Sequence, residues 1–473
     1  MASLTPDEIR RRLGHPVIDA DGHSLEFLPA VRDHLREIAG ESVAAKLDES
    51  FAAGARMHEL PVAVQRQLGV FRMPWWAFPT ERTLDRATAI LPRLLYERLD
   101  ELGIDFAFVY PTFGLMVLSA EEPELRSAFA RAFNAYYAEA YAGLGDRLQH
   151  AAIVPMHDPV EAVAELEHAT GALGLRACVL AGHVLRPLPG AESVRGARWL
   201  DLFDAESPHD YDPVWRRCEE LGVAPTFHSS AMGWGSRRSL HNYVFNHLGN
   251  FGASGEATCR ALFLHGVPVR FPRLRFAFLE GGVAWGASLR ADLCSHLEKR
   301  GPESIGSLDP LALDRDELRR LFARYAPKRF AEHVGELEGA LAVLSRPDED
   351  RASIDEFARS GIASADDVFA VFDRFHFGCE ADDPLVGTAF DSGGERAAPP
   401  LRAILGSDIG HWDVPDVRHV LPEAYELVEH GRLTPAQLRA FLFENPVSLF
   451  AGANPRFFEG TRVAEAVRAA AGR

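Results

Sequence analysis

Lysine is almost missing from this chain: Lys46, Lys299 and Lys328 are the only three in 473 residues. The formal net charge is −18, so a phosphate-backbone binder, which needs a basic face, is disfavoured. Arginine carries nearly all the positive charge. That suits bidentate holding of carboxylates and equally matches a codon bias. Cysteine is scarce too. Cys178, Cys218, Cys259, Cys294 and Cys379 are odd in number, widely spaced and form no C-x-x-C pair, which argues against a disulfide framework or structural zinc site. Long apolar runs are lacking, as is a basic-then-apolar secretory start, so a cytoplasmic protein without membrane or nucleic-acid partners is expected. The acidic balance itself reads as solubility. With 47% hydrophobic and 25% charged residues, what remains is an ordinary globular composition.

Short apolar runs alternate with longer helical patterns, as in strand-helix units around a parallel sheet. The runs are Pro16–Asp21, Ile104–Tyr110, Leu148–Pro155, Leu175–Ala181, Val223–His228, Leu274–Glu280, Arg374–Gly378 and Leu401–Asp408. Helices are expected at about 91–102, 122–145, 159–173, 212–221, 416–430 and 435–443, with Gly103 as a helix C-cap. Residues 184–212 read as a long irregular loop. About eight strand-helix units favour a (β/α)8 barrel over an open sheet. The whole chain, 1–473, is expected to be one barrel domain with insertions at about 40–90, 184–212 and 290–370.

In such a barrel the active site lies where the strands end. The polar residues at those ends are therefore the informative ones. They are Asp21 and His23 on strand one, His228 on strand five, Glu280 on strand six and Asp408 on strand eight. Asp21 and His23 stand two apart, so on an extended segment both side chains face the same way. Singly these residues are unremarkable: an Asp-x-His is commonly a turn or cap, and a lone histidine commonly a satisfied core residue. Jointly, at successive strand ends, they read as a site for a divalent ion with mixed imidazole and carboxylate ligands, suited to zinc, manganese or iron.

At these residues the chain resembles the amidohydrolase superfamily, nearest its amidohydrolase-related branch of aminocarboxymuconate-semialdehyde and γ-resorcylate decarboxylases. The matching stretches are Val17–Glu26, Leu102–Asp105, Pro225–His228, Gly266–Arg275, Leu279–Trp285 and Gly406–His411. The resemblance implies that Asp21, His23, His228 and Asp408 hold one metal ion, zinc first, and that Asp408 also transfers a proton. Members with two metals bridge them with a lysine after strand four, and no lysine lies there. The branch's decarboxylases carry histidine where this chain has Glu280, which leaves that residue open as acid, base, ligand or hydrogen-bond partner.

Three functions follow. One is a metal-dependent carbon–carbon lyase, most simply a decarboxylase of a carboxylated aromatic or related small acid, with Asp408 or Glu280 giving a proton to carbon. The second is a hydrolase of an ester, lactone, amide or carbon–carbon bond using metal-activated water. The third is a non-catalytic binding protein on the same barrel. For the substrate, Arg237 and Arg238 are candidates to clamp an anionic group, Trp234 and Trp285 to wall it, and His411 to meet it near Asp408. Trp75, Trp76 and Trp412 are further wall candidates, and His183, His241 and His247 also fall near mouth loops. A homodimer is the expected assembly.

Overall fold

Strands that are buried on both faces read as largely apolar runs, and the eight runs above supply them. In the computed structural model, which describes residues 4–72, 81–194, 197–203, 206–229, 236–343, 355–391 and 398–472, each becomes a parallel strand. They are β1 (Ile18–Ser24), β2 (Phe106–Pro111), β3 (Leu148–Ile153) and β4 (Ala177–Leu180), then, after β5 (Val184–Pro187) and β6 (Arg198–Asp201), β7 (Pro225–Phe227), β8 (Phe276–Phe278), β9 (Phe375–Glu380) and β10 (Arg402–Gly406). The sheet order is β1-β2-β3-β4-β7-β8-β9-β10. Backbone N–H groups of Ser407 and Asp408 reach the carbonyl of Asp21, at 3.0 and 3.1 Å, and bring the last strand back to the first. Helices such as Pro92–Leu102, Pro123–Ala140, Asn250–Leu264 and Ala284–Arg300 surround it, giving a (β/α)8 barrel.

The exceptions are β5 and β6. They pair antiparallel in a separate two-stranded ladder, Val184 opposite Asp201, within the stretch expected to be irregular. Four-residue strands, one ending in proline, leave too little alternation to stand out. An ion pair between Arg186 and the buried Asp201, at 2.5 Å, ties the two together instead.

One end of the barrel is sealed by the C-terminal chain. Asn445 donates to the carbonyl of Ala403, and Ser448 meets His376 and Arg402. Arg176 donates to the carbonyl of Phe457, and Arg462 pairs with Asp100 and Asp105. These partners all lie at or just before strand starts, so residues 445–462 cross the N-terminal face. Phe450 stacks on Phe108 with ring centroids 3.5 Å apart, and Phe457 and Phe458 complete the plug. Conserving burial of such rings is worth about 0.5–1.5 kcal/mol per pair beyond area alone. Polar chemistry is thereby left to the opposite face. The five cysteines are free, and no helix among the described residues is long and apolar enough to cross a membrane.

Candidate functional site

Strand β1 carries an irregularity that sets the site. Between Asp19 and Gly22 its register slips against β2, two residues facing one, so a bulge falls at Ala20 and Asp21. The Asp19 carboxylate takes up the freed backbone, accepting from the N–H groups of Asp21 (3.2 Å) and Ser407 (3.0 Å) and from the Ser407 hydroxyl (2.6 Å). Gly22 is required there: a Cβ would lie 2.7 Å from Asp19 Oδ2. The bulge leaves Asp21 and His23 side by side, with His23 Nε2 3.6 Å from Asp21 Oδ1.

The other strand ends are turned by force. Glu280 follows β8 with φ of 57° and Asp408 follows β10 with φ of 49°, both in the left-handed region. For residues other than glycine that conformation costs about 1–3 kcal/mol, a strain found where function fixes a side chain. His23 Nε2 stands 3.6 Å from Asp408 Oδ1, and His228 Nε2 stands 2.8 Å from Glu280 Oε2 without hydrogen-bond alignment. His411 Nδ1 is 4.0 Å from Asp408 Oδ1, and the His23 and His411 rings lie 4.0 Å apart. The structure thus gathers Asp21, His23, His228, Glu280, Asp408 and His411 at one mouth. Potential ligand atoms of His23, Glu280, Asp408 and His411 all lie within 4.8 Å of one another.

This set fits a cation. Two ligands about 2.1 Å from one ion lie about 3–4 Å apart, longer than hydrogen bonds and close to the separations found. Both oxygens of Asp21 and of Asp408, and Nε2 of His23 and His228, are buried without a hydrogen-bond partner. Burying so many orphaned polar atoms is costly unless something binds them. The imidazoles are also set for it. His23 Nδ1 donates to the Pro111 carbonyl and His228 Nδ1 to that of Ser229, each at 3.1 Å, which leaves the Nε2 lone pairs facing inward.

Burial dominates the electrostatics. It pushes the carboxyls of Asp21 and Glu280 well above the ordinary range, the latter helped by Asp413. Asp408 is likewise raised by burial, then by Glu280 and Asp21. Burial lowers His23, with His411 and His228 adding to the effect, and brings His411 down to about 3. Burial thus disfavours the charged form of the acids and of the imidazoles alike.

Several neighbours carry no sequence signal of their own. Glu26 is buried and accepts from the backbone N–H groups of Thr112, Phe113 and Gly114, at 3.1, 2.9 and 3.1 Å, and from the Tyr137 hydroxyl at 2.7 Å. It thereby holds the loop after β2, whose Thr112 Oγ1 is 3.2 Å from His411 Nε2. Beyond Glu280 lie His247, Asp413 and Glu380. A run of acids exists there, but only folding shows that it faces the strand ends.

The residues read as substrate contacts are scattered. Arg237 Nε donates to the Leu248 carbonyl at 2.9 Å, and Arg238 is exposed on the same loop. Trp285 packs between Phe278, Phe377 and the glycines of helix Asn250–Leu264, in the layer between strands and helices. Trp412, 40% exposed, stands edge-on to His247 and Tyr243 at the mouth. His183 is buried and His241 exposed. Trp234, Trp75 and Trp76 lie outside the described residues.

Comparison with known proteins gives a family. A family model described as amidohydrolase matches residues 18–330, well over half the chain. No curated relative matches the sequence. Among solved structures, an amidohydrolase from Mycobacterium avium subsp. paratuberculosis K-10 is 18% identical at a TM-score of 0.52, over 92% of this chain and 99% of that one. A dihydroxybenzoic acid decarboxylase from Polaromonas sp. JS666, solved with manganese and the inhibitor 2-nitroresorcinol, is 15% identical at a TM-score of 0.51, over 92% and 97%. At such identities the structural likeness is one of fold, whereas the family model speaks for the sequence. The chain belongs to the amidohydrolase family and is an enzyme of that superfamily.

Proposed function

We propose that this enzyme is a metal-dependent carbon–carbon lyase, a non-oxidative decarboxylase of a carboxylated aromatic or related small acid. The observation that carries the reading is one buried cluster holding orphaned ligand atoms beside carboxyls whose pKa burial pushes up. Asp21, His23, His228 and Asp408 are the residues that would hold one divalent ion, zinc first, with manganese or iron as alternatives. Such an ion supplies Lewis-acid withdrawal of electrons through a substrate carboxylate or adjacent oxygen.

The chain's own residues do the rest. A carboxyl of Asp408 or Glu280, its pKa pushed up by burial, gives a proton to the ring carbon as the carbon–carbon bond breaks. The bond's electron pair stays on that carbon and the carboxylate leaves as carbon dioxide. Tyr243 and Trp412 offer an aromatic face beside His247. Arg237 and Arg238, on the loop after β7, would meet an anionic group of the substrate. In the same reading the chain is one barrel domain, and the stretches at about 40–90, 184–212 and 290–370 are additions to it.

The test is a panel of hydroxylated benzoates in deuterated, 18-oxygen-enriched water. Decarboxylation releases carbon dioxide and places solvent deuterium on the product carbon with no 18-oxygen incorporated. Incorporation of 18-oxygen from ester or lactone probes, with no carbon dioxide from the acids, refutes the lyase and makes the enzyme a hydrolase.

A further inference from the structure

We propose that His247, Glu280 and Asp413 form a second divalent-cation subsite, sharing Glu280 with the cluster around His23 and Asp408. The inference rests on the metal-dependent reading above, because the shared carboxylate lies between the two sets. Ligand atoms of these three residues fall within 4.8 Å of one another. Glu280 offers one oxygen to each side: Oε2 faces His228 at 2.8 Å, while Oε1 stands 3.9 Å from His247 Nε2. A carboxylate split in this way is the arrangement of a bridging ligand.

Two further observations point to an occupant. The Glu280 side chain is only 3% exposed, and Asp413 Oδ1 is buried without a hydrogen-bond partner. Charge balance gives the second. Asp21, Glu280, Asp408, Asp413 and Glu380 act on one another in a buried group, and among the described residues no arginine or lysine forms an ion pair with any of them. An imidazole with two carboxylates is a donor set suited to manganese, zinc or iron.

The local structure supports the ring geometry this needs. His247 ends the helix Tyr243–His247 and stands edge-on to Trp412 and Phe251, with centroids 5.4 and 5.6 Å away, so its orientation is set by packing. Asp413 sits on the loop after β10, five residues past Asp408, and joins the same face.

The experiment is a titration of the metal-free full-length enzyme with Mn2+, counting bound ions by equilibrium dialysis and recording low-temperature electron paramagnetic resonance. The wild type should bind two ions per chain, the second more weakly, with an exchange-coupled signal when both are present. Asp413→Asn and His247→Ala should each bind the first ion unchanged and the second about tenfold or more weakly, leaving an uncoupled six-line signal. One ion at saturation, retained by both variants and lost in Asp408→Asn, overturns this inference and leaves the metal-dependent reading standing. Two uncoupled ions, or two that persist in both variants, also overturn it. No bound ion at all removes the reading on which it rests.

Discussion

Replacing Glu26 with glutamine changes one oxygen to an amide nitrogen and tests how the site is supported. Oε1 receives Thr112 N–H, Gly114 N–H and the Tyr137 hydroxyl, while Oε2 receives Phe113 N–H. Glutamine can place its carbonyl at the first position and keep three of these bonds. Its amide then confronts the Phe113 N–H, donor against donor, in a buried spot. Losing that bond and stranding the group costs about 1–3 kcal/mol. The local change reaches the site in two ways. The loop that Glu26 holds begins with Pro111, whose carbonyl fixes His23 Nδ1, and with Thr112, which touches His411. Partners behind metal ligands typically matter by about 10–100-fold in metal affinity. Urea unfolding and a chelator-competition titration should therefore both respond to Glu26→Gln, with Glu26→Ala worse in each. Stability within about 0.5 kcal/mol of wild type would refute the local reasoning. A clear stability loss with unchanged metal affinity would refute the coupling between loop and site.

Two other changes follow from the same packing. Gly22→Ala puts a methyl against the Asp19 carboxylate and 3.3 Å from Ser407 Oγ, so it should cost about 1–3 kcal/mol in unfolding. Equal stability would show that the β1 bulge relaxes freely. Glu380 is pushed up to about 8 by burial and by the charges of Asp413 and Glu280. Its folded pKa lies above its unfolded one, so the folded state holds a proton that the unfolded chain releases, and stability falls as pH rises from about 4.5 to about 8. Glu380→Gln removes that loss. In metal-free protein the variant's advantage should grow between pH 5 and pH 8 by about 2 kcal/mol, after allowing for solvent at the carboxyl's partly exposed edge. A difference independent of pH would show that the group titrates normally.

Much of this architecture was open to sequence reasoning because a parallel barrel aligns its chemistry with strand ends. Asp21, His23, His228, Glu280 and Asp408 each follow an apolar run, so their convergence needs only the fold. Asp19 and Glu26 lie in the same opening stretch yet carry no such signal. Their work is to receive backbone N–H groups from β10 and from the loop after β2, residues distant in sequence. His247 and Asp413 are likewise 166 positions apart and come together only in the fold, beside Glu280. Aromatic residues mislead for a different reason. Trp285 and Trp412 follow strand ends equally, but Trp285 turns back onto glycines of a neighbouring helix whereas Trp412 stays at the mouth. The β5–β6 ladder escaped because its pairing depends on Arg186 and Asp201 rather than on an apolar period.

The central claim is that Asp21, His23, His228 and Asp408 hold a divalent ion tightly. Its most direct test is the metal content per chain, by elemental mass spectrometry, of enzyme purified without chelator or added metal. About one tightly held zinc, manganese or iron ion is predicted, with retention weakened by about tenfold or more in Asp408→Asn and His228→Ala while both variants stay folded. No ion in the wild type, even after reconstitution with each metal, would contradict the claim.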